Sequence, residues 1–311
     1  MTVDILLQQL INGLVLGSIY ALIALGYTMV YGILQLINFT HGEVLMIGAM
    51  VSLLVVQTWL SLFPESHAAL TLGLALLVSA PVCMGLSFLI ERLAYRPLRD
   101  APRLAPLITA IGLSITLQTV AMMVFSPNPL VFPDLLPTDP IAIGGAMLAP
   151  KQALIVLVSL ILMLALILLV QRSRLGRAMR AVAENPRMAT LMGVDPNRVV
   201  AFTFMLGAAL AAVAGLLLAL NYNIVHFTMG FIPGLKAFTA AVLGGIGNIP
   251  GAVVGGLLLG LIESLGAGYI GDLTGGFLGS HYQDVFAFGV LILVLVFRPS
   301  GLLGERVSDR P

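Results

Sequence analysis

Charged side chains are scarce in this chain: Asp, Glu, Lys and Arg together make up 9% of 311 residues, against 59% apolar. A soluble chain carries about a quarter charged residues, so a water-soluble globular fold is excluded, and apolar runs of about twenty residues read as membrane spans. Cysteine is limited to Cys83. It has no partner for an internal disulfide and reads as a small buried hydrophobe. Lysine is limited to Lys151 and Lys236, and no glycine-rich stretch runs into Gly-Lys-Ser or Gly-Lys-Thr. That excludes a Walker-type nucleotide site in this chain. The net charge of +1 offers no electrostatic footprint for nucleic acid. Isolated serines, four histidines and unpaired carboxylates form neither H-E-x-x-H nor G-x-S-x-G, so enzyme chemistry has no constellation to work with. A basic leader is missing as well. The first residues are Met1-Thr2-Val3-Asp4, and no Asp, Glu, Lys or Arg follows until Glu43. Such a run is too long for a signal core and reads as a retained span.

What is present is apolar sequence rich in glycine and alanine. In lipid each backbone donor and acceptor must be paired within its own segment, so such runs become helices. The weak alternation and scarce aromatics argue against a membrane barrel. The pattern predicts an all-α polytopic membrane protein with eight or nine transmembrane helices, near 9–34, 44–63, 68–90, 105–125, 152–171, 199–220, 232–247, 250–270 and 283–298. The run at 232–247 is short for a crossing. With 250–270 it either spans twice or forms a re-entrant pair turned at Gly247-Asn248-Ile249-Pro250-Gly251.

The basic residues cluster. Arg92, Arg96, Arg99 and Arg103 fall in one loop, and Arg172, Arg174, Arg177, Arg180, Arg187 and Arg198 in another. Arg298, Arg306 and Arg310 follow the last span. By the positive-inside rule all three clusters face the cytoplasm. The proline-rich loop at 126–150, with Asp134 and Asp139, then faces outward, and the N-terminus is outside with the C-terminus inside. A faint echo links the two large basic loops, Ala94–Leu107 recurring as Ala178–Leu191 with six of fourteen positions identical. Repeats of this kind are common in transporters, and shared positive-inside pressure accounts for it equally well.

The loop between Gln171 and Arg198 predicts structure of its own. Arg177 to Glu184 are good helix formers, stopped where Asn185 meets Pro186. Pro186 opens a second short helix, Gly193 closes it in a left-handed conformation, and Asp195 caps the next span with Pro196 at its first position. Further along, Gly247, Gly251 and Gly255, and again Gly256 and Gly260, are spaced by four, which lets helix backbones approach closely. Polar residues in or near the spans are few: Asn38, His41, Glu43, Lys236 and Glu263. Ionisable groups at membrane depth are costly and stand as candidates for a translocation path or a membrane polar pair. Lys236 and Glu263 either pair with each other or snorkel to an interface. His41 and Glu43 are expected at the cytoplasmic end of the first span, where solvation is cheap. They are too few to hold a metal.

Several longer segments resemble a known family over essentially the whole chain. They are Gly17–Gly32 (GSIYALIALGYTMVYG), Ile37–Glu43 (INFTHGE), Glu91–Arg99 (ERLAYRPLR), Lys236–Gly247 (KAFTAAVLGGIG) and Phe297–Gly304 (FRPSGLLG). The chain is similar to LivH/BraD-type permease subunits of branched-chain amino acid ABC importers, departing at Thr40, often alanine there, and in the outer loop. The resemblance implies that residues 1–311 form one integral permease domain in the bacterial inner membrane. Its implied partners are a second, LivM-like permease subunit, two cytoplasmic ATPase subunits and a periplasmic amino-acid-binding protein. The chain itself would need no cofactor, because ATP would be bound by the partner subunits. The residues matching the family's ATPase-coupling segment are Arg180, Glu184, Asn185, Pro186, Arg187 and Gly193. A short rigid helix pair is suited to pass on a rigid-body motion. A urea or short-amide permease shares much of the same pattern. An ion-coupled secondary transporter would need an embedded carboxylate, for which Glu263 is the candidate.

Overall fold

A computed structural model describes residues 3–99, 101–102, 104–137, 139–275 and 282–304. Arg103, Arg306 and Arg310, assigned to the cytoplasmic clusters by the charge pattern, lie outside the described residues. The long helices are α1 (Val3–Leu34), α2 (His41–Leu62), α3 (Ala68–Ile90), α4 (Leu104–Val124), α5 (Pro150–Arg172), α8 (Pro196–Tyr222) and α10 (Ile249–Leu273). All seven contain a stretch long and apolar enough to cross a membrane. Between α5 and α8 lie two short helices, α6 (Arg174–Glu184) and α7 (Pro186–Leu191). Among the described residues there are also two shorter apolar helices, α9 (Phe231–Gly244) and α11 (Gln283–Phe297). The chain is thus a polytopic all-α membrane protein. Each of the nine predicted spans corresponds to a helix, although α1 begins at Val3 and not near residue 9.

Fourteen residues give α9 a length of about 21 Å, short of the roughly 30 Å hydrocarbon layer, whereas α10 has twenty-five. The two therefore do not span as equals. The expected turn between them is present, with Gly245 and Gly247 at φ of 107° and 95°.

The loop at 126–150 and the link after α8 hold structure that the sequence pattern did not predict. Strand β1 (Leu130–Val131) pairs antiparallel with β4 (Ile224–Val225), and β2 (Ile141–Ile143) with β3 (Ala146–Leu148). Gly144 and Gly145 both have positive φ, which is what a two-residue hairpin with the right strand twist requires. Strands of two or three residues are too short to leave a readable alternation.

The helices gather into two contact-dense units. One comprises α1 up to Thr28, the β2–β3 hairpin, α5 up to Leu164, and the chain from Lys236 through α10 and α11. Here α1 and α10 meet backbone to backbone. A Cβ on Gly17 would lie 2.8 Å from Leu257 Cα, one on Gly256 2.4 Å from Ala21 Cα, and one on Gly260 2.2 Å from Gly17 N. Gly251 and Gly255 turn the other way, onto the Gly244 and Ala240 carbonyls of α9, 2.5 and 2.1 Å from their would-be Cβ atoms. From Gly251 to Gly260 the small-residue spacing is therefore a packing device on two sides of α10, as predicted, whereas Gly247 belongs to the turn and has nothing within 4 Å of a would-be Cβ. The segment after α11 folds onto the end of α9: Leu302 and Leu303 donate their N–H groups to the Leu243 and Gly244 carbonyls, both at 2.9 Å. Those carbonyls would otherwise be orphaned at a helix end.

The second unit comprises α1 from Met29, α2 to α4, α5 from Ala165, and α6 to α8 with the chain up to Leu235. Its core is α2, α3 and α8. A Cβ on Gly215 would fall 2.3 Å from the Leu45 carbonyl and one on Gly48 2.7 Å from Ala212 Cα, so α2 and α8 run in close contact. Cys83 of α3 is fully buried against them, its thiol donating to the Val44 carbonyl at 3.4 Å.

Candidate functional site

The polar residues picked out in the sequence fall into three places. The first is the helical hairpin between α5 and α8. Ser173 caps α6 by accepting from Gly176 N at 3.0 Å. Asn185 is extended (φ −156°, ψ 101°) and ends α6, while its Oδ1 accepts from Arg187 N and Met188 N at 3.0 and 3.1 Å to start α7. At the far end Gly193 is left-handed (φ 83°), and the bonds Val194 N to Ala189 O and Gly193 N to Thr190 O close the helix, both at 3.0 Å. Asp195 then accepts from Asn197 N at 2.9 Å and starts α8. The predicted two-helix fold of 171–198 is present, with α6 beginning at Arg174, three residues ahead of the expected Arg177.

Its side chains divide by role. Met179, Val182 and Ala189 face inward. Arg180 bends back to donate to the Val170 carbonyl at the end of α5. A Cβ on Gly176 would lie 2.0 Å from that same carbonyl, so α6 is pressed directly onto α5. Glu184, Asn185, Pro186 and Arg187 are exposed. So are three large apolar residues of α7 and its cap: Met188, Leu191 and Met192 are 56%, 79% and 82% exposed. A solvated connector has no reason to present such a patch.

The second place lies at the start of α2. Asn38, His41 and Glu43 are buried, which corrects the expectation of a cheaply solvated interface. Glu43 Oε1 accepts from Ser114 Oγ and Gln118 Nε2 of α4 at 2.9 and 2.8 Å. Ser114 is ten residues into α4, about 15 Å along it. Val44 meets Cys83, seven residues before the end of α3. Both neighbours set the first turn of α2 well inside the membrane layer. Gly42 there touches the backbone of Gly230: its would-be Cβ is 2.5 Å from the Gly230 carbonyl, one residue ahead of α9. The short helix α9 thus begins at membrane depth, reached from β4 through five residues of chain. Neither Ser114 nor Gln118 was singled out in the sequence. Ordinary polar residues within a span carry no signal of their own.

The third place joins α9, α10 and α11. Lys236 and Glu263, left open between pairing and snorkelling, pair: Nζ is 2.7 Å from Glu263 Oε1, and both are buried. Lys236 Nζ also lies 2.7 Å from Asp284 Oδ1 and 5.9 Å from the centre of the Tyr20 ring. The cation is thus held by two carboxylates and an aromatic face. Asp284 was missed because it stands where a span was expected to begin, and acids are common in a helix's first turn.

A fourth cluster was not expected. Directly after α3 the chain makes a π turn (Glu91–Tyr95) and a 3-10 turn (Arg96–Leu98). Glu91 is fully buried, with Arg96 Nε and Nη2 donating to its two oxygens at 3.2 and 2.8 Å and Arg99 also bound to it. The visible signal was a single acid at the head of a basic run.

Comparison with known proteins fits this architecture. A family model described as "Branched-chain amino acid transport system / permease component" matches residues 9–295. The chain is 49% identical over 303 residues to the high-affinity branched-chain amino acid transport system permease protein BraD of Pseudomonas aeruginosa, covering 96% of each chain. It is 45% identical over 304 residues to the corresponding LivH of Escherichia coli, again covering 96% of both. Against a probable LivH of Methanocaldococcus jannaschii the identity is 30%, over 94% of this chain and 91% of the relative. No solved structure matches. With the family model covering nearly the whole chain and relatives matching end to end, this protein belongs to the permease components of branched-chain amino acid transport systems.

Proposed function

We propose that this chain is one of two permease subunits of an ATP-driven importer in the bacterial inner membrane, and that it carries leucine, isoleucine and valine into the cytoplasm. The observation that carries the reading is the exposed hairpin α6–α7. Two short helices are locked by caps at every end and α6 is pressed onto α5, yet Met188, Leu191 and Met192 are left exposed beside Arg187 and Glu184. An apolar tip rimmed by charge fits a groove on a partner protein, and rigid caps let it pass on that partner's movement. In this reading the partner is an ATPase subunit, which supplies the nucleotide site that this sequence does not carry. A second permease of LivM type, a second ATPase and a periplasmic amino-acid-binding protein complete the assembly. The arginine clusters support a reading with the hairpin in the cytoplasm, the N-terminus outside and the C-terminus inside. The chain acts as a conduit and not as an enzyme.

The test is Arg187→Glu in the assembled transporter, reconstituted in proteoliposomes. Uptake per ATP hydrolysed is expected to fall while membrane insertion is unchanged. Uptake that persists without the ATPases and collapses with an ionophore would instead show a secondary transporter. Calorimetry of leucine and of urea on the binding protein separates an amino-acid permease from a urea permease.

A further inference from the structure

The segment after α3 does more than supply positive charge to one side of the membrane. Arg99 is shared: one terminal nitrogen binds buried Glu91, and the other, Nη1, donates to Asn197 Oδ1 at 2.8 Å. Asn197 is the second residue of α8, and its backbone N–H is bonded to Asp195, the residue that joins the α6–α7 hairpin to α8. Two further contacts run along the same line. Ser87 Oγ donates to the Phe204 carbonyl at 3.1 Å, and the Tyr95 ring packs 5.4 Å from the Phe204 ring. Asn197 and Phe204 are seven residues apart and so lie on one face of α8. Residues 87–99 therefore lie against the first three turns of that face.

The π turn is what makes the fit. In an α-helix the residues stacked above Glu91 would be Ala94 and Tyr95. Widening the turn brings Arg96 over Glu91 and lets Tyr95 point to Phe204 and to Asn38, whose Oδ1 accepts from its hydroxyl at 2.9 Å. Pro97 adds a reason for the irregularity, having no N–H to continue an α ladder. Such single turns often mark working parts of a helix.

From these contacts we propose that Glu91, Arg99 and Asn197 form a brace that holds the root of the α6–α7 hairpin to α3, so that displacement of the hairpin moves α3 and α8 together. It rests on the reading of 171–198 as the ATPase-coupling loop. Glu91 and Arg99 are positioning residues here, and Asn197 is the joint.

The experiment uses the complete transporter in proteoliposomes and reads uptake per ATP hydrolysed together with the thermal midpoint. Asn197 is exposed, so Asn197→Ala is expected to leave the midpoint unchanged and to lower the ratio at least about fivefold. Asn197→Asp keeps an acceptor for Arg99 and is expected to retain the wild-type ratio. Arg99→Ala should lower the ratio as far as Asn197→Ala does, while also lowering the midpoint because it takes a partner from buried Glu91, and in the ratio the double variant should be no worse than either single one. An unchanged ratio in Asn197→Ala, multiplying effects in the double variant, or Asn197→Asp as damaging as Asn197→Ala would each overturn the brace. Arg187→Glu separates the two readings. If it leaves the ratio intact, the coupling loop itself is misassigned; if it lowers the ratio while Asn197→Ala does not, the brace alone is wrong.

Discussion

Lys236 shows how a single buried cation shapes its neighbours. A charge with little access to water is tolerable only when partners surround it, and removing one partner strands the other. Lys236→Met would leave Glu263 buried beside an apolar side chain. A loss of about 3 kcal/mol is expected, read as a lower unfolding midpoint in detergent. Adding Glu263→Leu should recover much of it, because the stranded carboxylate is gone. His226, in the link between β4 and α9, offers a pH test. Burial lowers its pKa below the ordinary 6.5, and the ring bonds Thr228 Oγ1 at 2.9 Å. The unfolded chain therefore binds the proton more readily than the folded one. Stability should fall as pH drops through 6.5 toward the folded value, and His226→Asn should flatten that fall. A ring titrating at or above 6.5 by NMR would contradict the burial.

At the scale of elements, the informative ones are those that break regularity. The long helices were legible because apolar length alone specifies them, and the α6–α7 hairpin because Asn185-Pro186, Gly193 and Asp195 each permit few conformations. The depth of α2 was not legible. His41 and Glu43 look interfacial in sequence, and only Ser114, Gln118 and Cys83, distant in the chain, reveal that the helix starts inside. Pairing of β1 with β4 links residues over ninety positions apart and left no local trace either. Close helix packing gives a direct prediction. Gly260→Val would drive side-chain atoms into the Gly17 backbone, 2.2 Å from the new Cβ, with no flexible neighbour to give way. Loss of 1–3 kcal/mol or more is expected, whereas Gly85→Ala on α3, with nothing within 4 Å, should be silent in the same thermal assay.

For the whole molecule, family membership and membrane architecture were both within reach of the sequence, since composition and the ordered segments from Gly17 to Gly304 agree. What eluded it was the second use of the first arginine cluster. Four arginines in a short loop satisfy a topological rule, and nothing in their spacing tells that Arg96 and Arg99 turn inward onto Glu91. A π turn has no propensity signature to announce it. Neutralising that acid tests the point at this scale: Glu91→Gln is expected to lower the yield of folded protein in the membrane, as two arginines lose their shared partner.

The fold also has a consequence for the order in which the protein can be made. Helix α9 is too short to be held by the bilayer on apolar length alone, and its last carbonyls find their donors in Leu302 and Leu303, nearly sixty residues downstream. Lys236 likewise waits for Glu263 and Asp284. While the ribosome is still extending the chain, α9 is an unfinished piece carrying an unpaired lysine, and it can settle only after α10 and α11 have followed it out of the exit tunnel. A stop codon placed just after Phe297 leaves α11 whole but removes Leu302 and Leu303, and should therefore unsettle α9 more than α11, a result that protease or cysteine-labelling accessibility at 231–244 would register.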